Sequence, residues 1–170
     1  TPGYFELDDE NNWQPFKSFT NLPNIDQSDE NTRMLDLDGD GKADLLISDD
    51  QVFTLYLSAG RNGYEPARKT FFGFDEEEGP RVLFSDPAQS IFLADMSGDG
   101  MTDIVRIRNG EVCYWPNLGY GKFGAKISMD NAPFFDHPDA FNTSWLRLSD
   151  IDGSGTTDII YLGKNKFSCW

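Results

Sequence analysis

The chain has 170 residues, and 14 Lys and Arg stand against 29 Asp and Glu for a formal net charge of −15. That balance excludes direct binding to a nucleic-acid backbone, which needs a basic surface to displace counterions, and it favours cations or a basic partner. Apolar residues at 38% with 14 Phe, 6 Tyr and 4 Trp exclude a disordered acidic tail and suit one domain with its own core.

No apolar run approaches the roughly 20 residues of a bilayer-crossing helix, so direct membrane insertion is not expected. The start, Thr1-Pro-Gly-Tyr4, is no signal peptide and carries no initiating Met, which reads as a processed product or a piece of a longer polypeptide. Cys113 and Cys169 lack CxxC spacing and are too few for a disulfide framework, so two partly buried strand thiols are expected.

Taken in chain order, the elements repeat. Asp36-Leu-Asp-Gly-Asp-Gly-Lys-Ala-Asp44 is a nine-residue loop followed by the apolar pair Leu45-Leu46, then Tyr56, Gly60 and Tyr64. The acidic stretch Asp75–Glu78 reads as an inter-blade or surface loop with its charge solvated. Ser90–Ala94 is a strand running into a second loop, Asp95-Met-Ser-Gly-Asp-Gly-Met-Thr-Asp103, with Asp103–Arg108 leaving it. Asn109-Gly110 is a two-residue hairpin turn and Glu111–Trp115 returns. Phe123–Met129 can form a fourth strand, and Asn131–Asn142 reads as another inter-blade or surface loop. The third loop, Asp150-Ile-Asp-Gly-Ser-Gly-Thr-Thr-Asp158, precedes Ile159-Ile160 and ends at Trp170.

The loops start 59 and 55 residues apart, and an aromatic follows the last Asp of each loop by twelve residues: Tyr56, Trp115 and Trp170. Agreement at so many offsets marks a structural repeat with units near 1–64, 65–123 and 124–170. No segment has helical periodicity of convincing length. The pattern predicts an all-β chain, a β-propeller segment of three four-stranded blades. Three blades make an open arc, so the remaining blades come from a larger parent or from a second copy of the chain.

The loops carry the chemistry. Calcium takes six to eight oxygen ligands from carboxylates, backbone carbonyls and water. The first loop offers Asp36, Asp38, Asp40, the Lys42 carbonyl and Asp44. The second offers Asp95, Ser97, Asp99, the Met101 carbonyl and Asp103, and the third Asp150, Asp152, Ser154, the Thr156 carbonyl and Asp158. An EF-hand is excluded, because position twelve is Ile47, Arg106 or Tyr161 rather than Glu and the flanks are strands. The ninth-position Asp is therefore expected to close each site. The competing reading makes the same residues turn formers that accept backbone N–H bonds.

No catalytic constellation stands out. His137, the one histidine, lies between Asp136 and Asp139 in a loop, where a solvated imidazole is the simpler reading. The repeated aromatics could stack on sugars, but at fixed strand positions they fill the space between blades. A calcium-dependent lectin or adhesion propeller is the alternative to a non-catalytic scaffold.

These loops resemble the calcium loops of FG-GAP/VCBS-type propellers, such as integrin α-subunit heads. A longer stretch, Leu93–Gly121 with Asp150–Gly163, resembles the SpvB/TcB-type region of insecticidal toxin-complex B components. That resemblance implies a secreted toxin in which a B-component propeller joins a shell of Rhs repeats, docks on a pore-forming A component and gates the passage of a toxic enzyme. It further implies that this chain catalyses nothing itself. Residues 1–91 carry the resemblance mainly through the first loop and the strand after it.

Overall fold

The computed structural model describes residues 2–26 and 28–170. Among the described residues thirteen strands build four antiparallel sheets, with 3₁₀ turns at Gly60–Asn62 and Thr143–Trp145. A small sheet pairs β1 (Gly3–Tyr4) with β2 (Lys17–Ser18). Sheet one runs in the order β3 (Thr32–Leu35), β4 (Asp44–Asp49), β5 (Val52–Tyr56), β6 (Arg68–Phe71). Sheet two repeats that order with β7 (Ile91–Ala94), β8 (Asp103–Arg108), β9 (Glu111–Trp115) and β10 (Ile127–Ser128). Sheet three holds β11 (Leu146–Ser149), β12 (Asp158–Gly163) and β13 (Lys166–Cys169).

Register explains why the nine-residue loops recur. Each loop joins a sheet's first strand to its second, so its last Asp opens the second strand opposite Leu35, Ala94 or Ser149. The residue after that Asp then meets the repeated aromatic. Leu45 pairs with Tyr56 and Ile104 with Trp115, while Ile159 and Trp170 exchange both backbone hydrogen bonds. Between β8 and β9 the Asn109-Gly110 turn places Gly110 at φ 84°, a conformation that costs a side-chain-bearing residue strain.

Alternate side chains of each central strand leave on opposite faces, and this makes the blades stack. Leu46 and Phe53 of sheet one pack with Ile104 and Trp115 of sheet two in one core. Val105 and Ile107, on the other face of sheet two, pack with Ile159 and Tyr161 of sheet three in a second core. Each buried large apolar side chain contributes about 1.5–3 kcal/mol relative to exposure, so the two interfaces are the chief source of stability.

The fold is an all-β arc of propeller blades, as the repeat predicts, with several differences in detail. The third sheet has three strands rather than four. In the first two sheets the fourth strand begins 24 residues after the loop's last Asp, at Arg68 and Ile127, and from Asp158 that spacing falls past residue 170. The fourth strand expected over Phe123–Met129 shrinks to Ile127–Ser128. Sheets one and two run past the unit limits at 64 and 123, because β6 and β10 follow those positions. Cys113 is buried in β9, but Cys169 is exposed, and both are free thiols.

Both segments expected as inter-blade or surface loops pack against the blades, and the charge of Glu76 is paired rather than solvated. In Asp75–Glu78, the Glu76 carboxylate binds the Arg106 guanidinium at 2.7 Å and Lys126 at 3.1 Å, and its carbonyl accepts a bond from Trp115 Nε1 at 2.7 Å. Within Asn131–Asn142, Phe135 is fully buried in the second core, and its backbone N–H donates to Asn109 Oδ1 at 2.8 Å. Among the described residues no helix is long and apolar enough to cross a membrane.

Candidate metal centres

The three loops share one hydrogen-bonding scheme. The first Asp accepts amide bonds from the fourth and sixth loop residues: Gly39 at 2.8 Å and Gly41 at 2.8 Å onto Asp36, Gly98 at 2.7 Å and Gly100 at 2.8 Å onto Asp95, and Gly153 at 2.7 Å and Gly155 at 3.0 Å onto Asp150. Those glycines all have positive φ, which lets the amides turn inward onto one carboxylate. The amide donors hold Asp150 below the usual carboxylate range, chiefly through Gly155.

The ninth Asp is a latch. Asp44 is buried and accepts from Leu37 N at 2.9 Å and Ser58 N at 2.7 Å. Asp103 is buried and accepts from Met96 N at 2.9 Å, Ser97 N at 3.2 Å and Asn117 N at 2.8 Å. Asp158 repeats the first of these bonds, to Ile151 N at 2.9 Å. Each latch ties its loop to the start of the second strand, and Ser58 and Asn117 add a tie to the turn after the third. Burial pushes Asp44 and Asp103 upward in pKa despite the amide donors.

The carboxylates converge in two of the three loops. In the first, Asp36, Asp38 and Asp40 bring ligand oxygens within 4.8 Å of one another, and in the third Asp150, Asp152 and Asp158 do the same. The second loop forms no such trio. Ser97 Oγ lies 3.4 Å from Asp95 Oδ1, and Asp99 accepts from Met101 N at 2.8 Å. In the first loop the Lys42 ammonium pairs with Asp40 and lowers its pKa. In the third, Ser154 Oγ and Thr156 Oγ1 lie 3.1 Å apart. Three converging carboxylates match the hard-oxygen donor chemistry of calcium, so the first and third loops fit that ion, the first once the Lys42 ammonium yields Asp40, and the second fits it less well.

Backbone bonds join the third loop to the second, and the turn after β9 to the first loop. Thr157 N donates to the Asp95 carbonyl at 2.9 Å, and Tyr120 N donates to the Leu37 carbonyl at 2.8 Å. His137 is exposed, with Nδ1 at 3.7 Å from Asp139. Sequence reasoning missed the partners of the latches, the amides of Ser58 and Asn117, although both sit fourteen residues after their Asp in matching places. It also missed the ion pairs of Glu76, for which nothing in the repeat gives a signal.

The stacked antiparallel sheets, each with a nine-residue loop between its first and second strands, form an arc of β-propeller blades, and the FG-GAP-like repeat family matches residues 36–106. Across 98% of its length the chain is similar to part of the Photorhabdus luminescens Tc holotoxin pore, with a TM-score of 0.79 and 26% identity. The TcdB2-TccC3 complex, and the same complex without its hypervariable C-terminal region, share the fold over 83% and 79% of this chain, with TM-scores of 0.57 and 0.56 at 21% and 20% identity. The chain spans only 7%, 7% and 6% of those three chains. No curated protein sequence matches it. The chain resembles a propeller region of a Tc-type toxin, as the stretch Leu93–Gly121 suggested.

Proposed function

We propose that this chain is a non-catalytic, calcium-stabilised propeller scaffold of a Tc-type toxin that docks other toxin components and works outside the cell. The observation that carries this reading is the likeness over 98% of the chain to a Tc holotoxin pore structure. A stack of blades is a rigid platform around an axis, which suits seating over a pore mouth. Its charge of −15 favours a basic docking surface on the pore-forming component, with association that weakens as salt rises.

Calcium would be held by Asp36, Asp38 and Asp40 in the first loop and by Asp150, Asp152 and Asp158 in the third. When bound it supplies charge neutralisation and rigidity rather than reaction chemistry. The residues of the chain do the rest. Asp44, Asp103 and Asp158 fix the loops onto their strands, and the inter-loop bonds carry that rigidity from one blade to the next.

Two measurements test the proposal. Binding of the propeller-bearing protein to its pore-forming component should weaken on charge reversal of exposed acids outside the nine-residue loops, such as Asp130 and Asp139. Unchanged assembly and delivery after deletion of the segment, or selective glycan capture on an array, would overturn the docking role. The melting temperature should rise in excess calcium over chelator, and Asp36→Ala should remove most of the rise, because an ion that binds only the folded loop stabilises by mass action. Equal melting in both conditions leaves the carboxylates as turn formers.

A further inference from the structure

Residues 2–18 follow the second half of a blade. Phe5 and Trp13 are eight residues apart, as are Tyr56 and Tyr64 and Trp115 and Phe123. The isolated antiparallel bridges fall in the same places: Leu7 with Trp13, Ser58 with Tyr64, Asn117 with Phe123. So do the adjoining backbone bonds, Gln14 N to the Glu6 carbonyl at 2.7 Å, Glu65 N to Leu57 at 2.8 Å and Gly124 N to Pro116 at 2.8 Å. The next strand starts four residues past the second aromatic, at Lys17, Arg68 and Ile127. Register agrees as well, since Tyr4 pairs with Lys17 as Leu55 does with Arg68 and Tyr114 with Ile127. Thus β1 and β2 correspond to the third and fourth strands of a blade.

In sheets one and two the third strand is paired on both sides. Among the described residues β1 is paired on one side only, to β2. Beside it a groove of about 780 Å³ is lined by Gly3, Tyr4 and Phe19 on one wall and Met34, Leu45 and Tyr64 on the other. Met34 matches Leu93 and Leu148, each two residues before its loop. Those two pack into the core shared with the preceding sheet, whereas Met34 is 63% exposed. The groove therefore lies where the first two strands of a blade belong.

We propose that this groove is a docking slot for one strand–loop–strand unit of FG-GAP type, whose second strand adds to the free edge of β1 and whose apolar face covers Met34. The proposal rests on the blade architecture and not on the toxin role. A second copy of the chain is a poor occupant, because each of its own first-and-second-strand pairs already holds a third strand, β5, β9 or β13. Edge pairing supplies main-chain hydrogen bonds, and alternate side chains of the added strands supply specificity.

The chain's own repeat provides the probe. Trp115 corresponds to Phe5, so Glu111 corresponds to residue 1, and the unit Ala88–Gly110 fused directly ahead of residue 1 places the Asn109-Gly110 turn in frame. In that fusion, amide exchange across residues 3–5 should slow at least tenfold relative to the 170-residue chain, and the melting midpoint should rise. Met34→Glu, harmless in the unfused chain where the side chain is exposed, should abolish both gains. Unchanged exchange would overturn the proposal, as would equal slowing by the same residues fused in scrambled order, or protection that appears only in a self-associated species. Failure of the toxin reading leaves these outcomes untouched.

Discussion

Asp103 shows how one side chain can decide a local structure. Its buried carboxylate receives three backbone amides, those of Met96 and Ser97 part-buried and that of Asn117 buried. Leaving a buried donor unpaired costs ~1–3 kcal/mol, so Asp103→Ala should destabilise by about 1–3 kcal/mol in urea unfolding, and Asp103→Asn, which keeps one acceptor oxygen, by less. A loss below about 1 kcal/mol for the alanine variant would show that the amides find other partners. Glu76 gives a pH dependence of known sign. The hydrogen bond from Arg106 is the chief reason its pKa falls from 4.5 to about 2. A carboxylate with a depressed pKa stabilises the fold above its unfolded value, and that stability is lost as pH falls from about 4.5 towards 2. The Glu76 side chain is 42% exposed, so screening limits the effect to about 1 kcal/mol. Glu76→Gln should flatten the acid limb of the stability profile between those values, and an unaltered limb would assign it to other carboxylates.

At the scale of elements, the hydrophobic alternation and turn chemistry of sheet two were legible almost to the residue. Asp103–Arg108 and Glu111–Trp115 are the strands expected, because an Asn-Gly turn fixes register and β-branched or aromatic residues fill the pleat. The latch role of the ninth Asp was only half legible, since its amide partners on the far turn depend on where the third strand ends. Glu76 and Phe135 escaped notice because their partners are distant in sequence. The half-blade at β1 and β2 escaped because its strands are two residues long and carry no nine-residue loop. That element is held to sheet one by a parallel bridge between Asn21 and Gly63, with Asn21 N donating to Asn62 at 2.8 Å and Tyr64 N to Asn21 at 3.0 Å. Gly63 has φ 101°, and a Cβ there would lie 2.1 Å from the Asn21 carbonyl oxygen. Gly63→Ala should therefore release the N-terminal segment, seen as faster amide exchange at Asn21 and Tyr64 with sheet two unchanged. Protection that survives the substitution would move the anchor to the ion pair of Glu6 with Arg61.

For the whole molecule, the decisive fact is that one face repeated along the arc is buried twice and left open once. Phe53 of sheet one is 2% exposed against sheet two, while Phe167, its counterpart on sheet three, is 65% exposed. Ile151 and Leu162 lie open on sheet three too, where their counterparts Leu37 and Ser48 on sheet one are buried. A contiguous apolar face of this kind on a free protein drives association, because water leaves it at a gain of about 25 cal/mol per Å² buried. The 170-residue chain should accordingly show mass rising with concentration in light scattering and bind an apolar dye. Two copies meeting through this face would do so about a twofold axis, each presenting the same surface. Phe167→Lys places a charge at the centre of the patch and should shift the chain to monomer while leaving the strand content unchanged, since the side chain makes no buried contact to lose. A monodisperse monomer without dye binding at high concentration would show the face to be closed by local rearrangement. Association that persists in the Phe167→Lys variant would instead point to the aromatic patch of Phe5, Trp13 and Phe16 at the opposite end, where the rings meet at centroid distances of 6.5 and 5.3 Å.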